Sequence, residues 1–250
     1  MKRLIKKFVL LLLGIVVGVV VYEGYMFVRV WRLRTNNIAT SSLIEARATE
    51  AIGRGEQAKQ QLVWVPLDRI SPNLQRAVLA GEDTNFVIHN GFDYKAIQKA
   101  WDDALRDSAR EAKEEGENDD WLPNIPEFKR GASTVTQQLA KNLYLSSRRS
   151  FFRKGQEAVL TIMLERALTK RRILELYLNI IEWGDGIYGA EAASQYYFHK
   201  PASALTATQA AFLSAMIPNP RTVFNPRTNP RRVARRQRII MRGMPYVRIP

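Results

Sequence analysis

The chain has 250 residues, 46% of them hydrophobic and 25% charged, with a formal net charge of +14 and no cysteine. That length supports one sizeable core with an appendage and leaves little room for a second catalytic domain. The missing cysteines exclude disulfides and thiolate metal sites, and the positive charge points to an anionic partner: nucleic acid, a phospholipid surface or a phosphorylated substrate.

Lys2, Arg3, Lys6 and Lys7 precede an apolar stretch over residues 8–27 that only Glu23 interrupts. About 20 such residues can span a bilayer, and basic residues ahead of them hold that end in the cytoplasm. Arg29, Arg32 and Arg34 on the far side work against this orientation, and a cleaved signal peptide is the rival reading. No small-x-small cleavage site closely follows the apolar run, however. Residues 1–30 are therefore expected to be a cytoplasmic tip and an uncleaved anchor, with the bulk of the chain outside the cytoplasm and no nucleic acid as partner.

Residues 31–61 are polar with scattered apolar positions and are expected to form a stalk or linker ahead of a main domain over residues 62–250. VWVPLDRI is a short extended segment leading to Ser71-Pro72, a helix N-cap followed by proline at the first helical position, and the helix should run to about residue 80. It meets GEDTNFVIHNG, residues 81–91, where two adjacent acids and one of only two histidines follow an apolar helix face. Acids there are costly to desolvate unless hydrogen-bonded or used, which makes the stretch a candidate site. DYKAIQKAWDDAL is a further helix. It enters an acidic insertion at about residues 102–127, in which nine acids face three basic residues between positions 102 and 120, the pattern of a solvated surface helix or mobile insertion.

The rest is expected to be helical. STVTQQLAKNLYL carries Val135, Leu139 and Leu143 at helical spacing, and GQEAVLTIMLERALTKRRILELYLNII is a long, nearly all-round apolar pattern fit for burial. LTATQAAFLSAMI opens on a Thr206-x-x-Gln209 capping box and stops at Pro218-Asn219-Pro220. NPRTNPRRVARRQRIIMR is strongly basic, by default a solvated or lipid-facing helix. The fold class is mainly α, with no repeat and no Gly-rich phosphate loop.

Between residues 128 and 156 there is no acid, but there are Lys129, Arg130, Lys141, Arg148, Arg149, Arg153 and Lys154. Such a run suits an anion site or a basic surface. Ser133, Thr134, Thr136, Gln137 and Gln138 add groups able to bind sugar hydroxyls and phosphate oxygens, and Gln137 and Lys141 stand one helical turn apart. Glu157, next to these cations, should stay ionised as a hydrogen-bond acceptor or charge stabiliser. Glu82, after an apolar helix, is suited to a raised pKa and general base or acid work. Two acids in unlike environments fit glycosyl chemistry. His89 is expected to fix the loop carrying Glu82, and His199 has no metal-ligand partner at suitable spacing.

The motifs Glu82-Asp83-x-x-Phe86-x-x-His89-x-Gly91, Gly131-Ala132-Ser133-Thr134-Val135-Thr136-Gln137-Gln138-Leu139-Ala140-Lys141-Asn142, Arg153-Lys154-x-x-Glu157 and Arg172-Ile173-Leu174-Glu175-x-Tyr177-Leu178-Asn179 resemble, in order, those of peptidoglycan glycosyltransferases. The resemblance covers about residues 63–244 and is closest to the monofunctional biosynthetic type, since no Ser-x-x-Lys of a transpeptidase is present. Ala132 replaces a glycine common in the second motif, and the acidic insertion falls where the family has a flexible jaw.

The resemblance implies a lysozyme-like two-lobed fold with a membrane-associated jaw, and lipid II and the growing glycan strand as substrates. It assigns Glu82 as general base. Lys141, Arg149, Arg153 and Lys154 would bind the pyrophosphate, with Glu157 orienting them or a divalent cation, Mg2+ or Mn2+, as candidate cofactor. Asp83, Phe86, His89, Ser133, Thr134, Gln137, Gln138 and Asn142 complete the expected substrate-binding set. The implied location is the bacterial inner membrane, single-pass with a periplasmic catalytic domain; the bilayer and cell-wall or division proteins are candidate partners. A muramidase or lytic transglycosylase of related fold and a non-catalytic cell-wall scaffold are the alternatives.

Overall fold

The computed structural model describes residues 2–115, 133–145 and 150–250. Its first element, α1 (Lys2–Arg32), is long and apolar enough to cross a membrane. At 1.5 Å per residue its 31 residues reach roughly 46 Å, more than a hydrocarbon core of about 30 Å requires. The surplus is used inside the protein: Met26, Val30 and Leu33 are buried in the core. Just past the C-terminus of the helix the chain is held by Arg172, whose Nε donates to Leu33 O at 2.7 Å and Nη2 to Asn36 O at 2.7 Å. A cation there also suits the negative end of the helix dipole. Alongside, α1 packs on α6 (Phe151–Ala167), Gln156 Nε2 donates to Glu23 Oε2 at 3.3 Å, and the Arg29 guanidinium lies 5.1 Å from the Tyr144 ring centroid.

Residues 31–61 do not stand off as a spacer. Ser41 caps α2 (Ser42–Gly53), which buries Ile44 and Ala51 and packs on α5 (Val135–Tyr144). Arg47 of α2 ion-pairs with Glu182 at 3.0 Å, tying the segment to the main body.

α3 (Pro72–Glu82) begins at the expected Ser71 cap, with Leu74, Ala77, Val78 and Leu79 wholly enclosed. It lies against α9 (Ala207–Met216) and α10 (Pro230–Gly243). Close approach there depends on Gly81: a Cβ at this position would stand 2.9 Å from Ser214 Oγ and 3.2 Å from Ile240 Cδ1. α4 (Tyr94–Glu115) takes in the first part of the acidic run, and the remainder lies outside the described residues.

The expected long apolar element is two helices. Leu168 caps the end of α6, and the Thr169 hydroxyl accepts from Arg172 N at 3.2 Å to open α7 (Lys170–Ile180). A threonine cap thus competes with helix continuation without any glycine or proline. α7 is central, with Ile173, Leu174, Leu176, Tyr177, Leu178, Asn179 and Ile180 all buried. A three-stranded sheet follows in the order β1-β3-β2: β1 (Gln61–Leu62) is parallel and β2 (Glu182–Gly184) antiparallel to β3 (Ile187–Tyr188). α8 (Ala190–Phe198) then leads to α9, whose Thr206/Gln209 capping box forms as expected.

Asn179 straps the segment before α3 to α7. Its Oδ1 accepts from Val65 N at 2.9 Å while Nδ2 donates to Val65 O at 2.9 Å and to Glu175 O at 2.8 Å. Asn179→Ala would leave both polar groups of Val65 unpaired, at a cost of about 3 kcal/mol. Denaturant unfolding of the detergent-solubilised chain should show that loss; a change under about 1 kcal/mol would mean that the strap does not hold the segment.

Candidate active site

α3 ends on Glu82, and Asp83 is its C-cap. Carboxylates are poorly placed at the negative end of a helix dipole, so each needs its own donors. Asp83 Oδ2 accepts from Val135 N, the first residue of α5, at 2.9 Å, and Oδ1 lies 2.8 Å from His89 Nε2. Because His89 Nδ1 accepts from Gly91 N at 3.1 Å, the proton of the neutral ring lies on Nε2 and is donated to Asp83. Gly91 has φ +91°, and a Cβ there would meet Thr161 Cγ2 at 2.7 Å, so only glycine lets the loop close. Thr134 Oγ1 donates to Gly91 O at 2.7 Å and caps α5.

The Glu82 side chain is 9% exposed, with Oε2 accepting from Gln138 Nε2 at 2.9 Å and Oε1 from Arg236 Nη2 at 2.7 Å. Gln138 is itself aimed by Tyr177, whose hydroxyl donates to Gln138 Oε1 at 2.8 Å. Burial pushes the Glu82 carboxyl above the ordinary carboxylate range, while Arg236, Gln138 and Lys141 pull the other way. Such a group is a stronger base than an exposed glutamate and is still held ionisable by its donors.

Arg236 is absent from the residues expected from sequence. The basic C-terminal segment was expected to face solvent or lipid, but α10 turns this arginine inward, where Nη2 also donates to Gly81 O at 2.9 Å. The signal is in the spacing: Val233 and Ile240 are the buried residues of α10, and position 236 shares their face.

A cleft of about 750 Å³ runs past this centre, lined at one end by Ser133, Gln138, Lys141, Asn142, Arg153, Lys154 and Glu157. Glu157 is buried on α6 between Arg153, whose Nη1 lies 3.2 Å from Oε2, and Lys154, which pairs with Oε1. Lys141 is held below the ordinary lysine range by desolvation in the cleft and by Arg153 and Lys154, against the pull of Glu157. Arg153 Nε is buried without a hydrogen-bond partner among the described residues. Three cations against one carboxylate, with a donor to spare, fit a polyanionic group. Arg149 lies outside the described residues.

A smaller cleft of about 230 Å³ includes Gly81, Glu82, Asp83, Thr84, Asn85, Asp93 and Thr134, and Ser133 lines both. The expected site residues therefore divide. Ser133, Gln138, Lys141, Asn142, Arg153, Lys154 and Glu157 face the larger cleft, and Glu82 faces the smaller one. Asp83 and Thr134 border the smaller cleft with their side chains engaged in holding the loop. Phe86, His89 and Gln137 stand behind the wall. Phe86 is fully enclosed with Lys170 Nζ 4.5 Å from its ring centroid, and the Gln137 side chain is taken up by Thr134 N at 2.9 Å. These three support the site without reaching a ligand.

No group of three or more His, Asp or Glu side chains suited to a metal occurs among the described residues. Both oxygens of Glu157 are engaged by Arg153 and Lys154, as both of Glu82 are by Gln138 and Arg236. The described residues of the two clefts do not fit a protein-held Mg2+ or Mn2+.

A family model described as Transglycosylase matches residues 48–116 and 121–245. Among similar proteins, one from Laribacter hongkongensis is 42% identical over 92% of this chain and 92% of its own length. Another from Chromobacterium violaceum is 42% identical over 96% and 97%, and one from Thiobacillus denitrificans 44% identical over 93% and 92%. Each is named a biosynthetic peptidoglycan transglycosylase. A match over nearly the whole of both partners, with the four motifs gathered around two adjoining clefts, establishes that the chain belongs to the transglycosylase family.

Proposed function

We propose that this protein is a peptidoglycan glycosyltransferase that polymerises lipid II into linear glycan strands. The observation that carries the reading is Glu82, a carboxylate with a raised pKa where a cationic cleft meets a smaller polar one. In this reading the growing strand, linked to undecaprenyl pyrophosphate through its terminal N-acetylmuramic acid, lies in the larger cleft with its pyrophosphate against Lys141, Arg153 and Lys154. The N-acetylglucosamine of lipid II approaches Glu82 from the smaller cleft. Glu82 takes the proton of the 4-hydroxyl, the oxygen attacks the anomeric carbon from the face opposite the pyrophosphate, and the anomeric carbon–oxygen bond to phosphate breaks. A β-1,4 link forms with inversion and undecaprenyl pyrophosphate departs.

Pyrophosphate is already a good leaving group, so cations that neutralise its charge serve better than a general acid. That division favours transfer over hydrolysis of neutral sugar links. The apolar α1 would hold the protein in the bacterial inner membrane, with the basic N-terminus inside and the clefts on the periplasmic side. A periplasm-active reporter fused at the C-terminus should then be active; activity only with a cytoplasm-dependent reporter would reverse the topology.

With purified protein and labelled lipid II, Glu82→Gln should lower polymerisation by roughly 10² to 10⁴, the usual cost of a lost general base. Near-parental turnover would remove Glu82 from that role. The parental rate should rise with pH through a single ionisation lying above the ordinary carboxylate range, and the Gln variant should lose this limb. Arg236→Gln removes a cation that favours ionised Glu82, so the acidic limb should move to higher pH, with Arg236→Lys restoring part of the shift. An unmoved limb would mean that Arg236 does not tune the base.

A further inference from the structure

After Glu191 the chain carries no acid to its end, and among the described residues the ion pairs of this stretch are those of Arg221 and Arg236. The other arginines of α10 stand without a carboxylate. Arg231, Arg235, Arg238 and Arg242 are exposed, as is Arg232 beside them. With 3.6 residues per turn the first four fall within an arc of about 60°, on the side of the helix away from Val233 and Ile240. They form one stripe about 16 Å long, bordered by Ile239, which is 62% exposed.

The stripe is held at a cost to the helix. Arginines three and four residues apart repel one another, and Arg231 and Arg232 stand in the first turn, at the positive end of the helix dipole, where no acid offsets them. The fold gains nothing in return, because Val233 and Ile240 supply the buried contacts of α10 and Arg236, from a different face, the contact to Glu82. The side chains instead suit a ligand from outside. Every cation of α10 is an arginine, whose fork binds a carboxylate through two hydrogen bonds, whereas lysine serves equally well for diffuse attraction to lipid. A helix lying on lipid also needs an apolar set to enter the acyl boundary, and here Val233, Ile240 and Met241 are already in or against the core. Separations of four, three and four residues keep side chains on the seam between two helices packed side by side.

We propose that the outward face of α10 docks an acidic helix of a partner protein, with carboxylates recurring at the same spacing and an apolar residue set against Ile239. The surface is separate from the two clefts and does not depend on the reaction they carry out.

The test uses the full-length chain in phosphatidylcholine nanodiscs and two synthetic helical peptides of one composition. One carries four glutamates in a line at separations of four, three and four; the other has them distributed round the helix. The aligned peptide should bind about tenfold more tightly and slow hydrogen exchange in α10. The variant Arg231→Gln/Arg235→Gln/Arg238→Gln/Arg242→Gln should lose that preference. Equal binding of the two peptides, protection away from α10, or a preference that survives the substitutions would overturn the proposal. So would protection of α10 by phosphatidylglycerol nanodiscs equal to or greater than that by the aligned peptide, which would assign the stripe to lipid headgroups. Should the glutamine variant not fold, lysine at the same four positions keeps the charge and loses the fork. The preference should then fall below about threefold, and an undiminished one would overturn the proposal.

Discussion

Two adjacent carboxylates at the end of a buried helix set the terms for this structure. Neither can be desolvated alone without a cost of several kcal/mol, so each must be met by donors from elsewhere in the chain. Asp83 is met by the first amide of α5 and by His89, Glu82 by Gln138 and Arg236. These donors come from α5, from the loop after α3 and from α10. The need to pair two carboxylates therefore brings together segments more than 150 positions apart, and the site exists where they meet.

The same pairing separates two tasks. Asp83 is fully engaged and serves as a fastener between α3 and α5, where its charge also suits the positive end of the α5 dipole. Glu82 is contacted by side chains that leave it bordering the smaller cleft. One acid is spent on geometry, which in the proposed reaction leaves its neighbour free for chemistry. Across the larger cleft, Glu157 performs a related service by orienting Arg153 and Lys154 while leaving the cations in excess.

Much of this was legible in the sequence, because groups that share a local motif stay together in the fold. Ser71 and Thr206 announce helix starts through side-chain chemistry that acts over two or three residues, and both cap as expected, while Thr134, expected to bind substrate, caps α5. What the motifs do not disclose is which way a side chain points. Gln137 and Gln138 are equally polar, yet the capping box consumes the first and leaves the second for Glu82. Phe86 belongs to the same motif as Glu82 but packs inward. Arg236 was hidden for the opposite reason: it stands in a run of arginines whose charge suggests a solvated face, and only the register with Val233 and Ile240 reveals the inward position. The break at Thr169 is a local cap inside an apolar run that periodicity alone passes over, whereas the seating of α2 depends on Glu182, far along the chain.

The continuity of α1 has a mechanical consequence. Its last turns are core, held by Arg172, so one unbroken helix runs from the apolar segment into the body that carries the clefts. With α1 seated in a bilayer, the two clefts would keep a set tilt and height relative to the lipid surface. Under the proposed function, a strand pushed out through such a cleft would leave along one direction of the protein's own frame. In the proposed orientation, torque on an emerging strand would pass to the helix in the lipid, and turning of the whole protein about its anchor would relieve it.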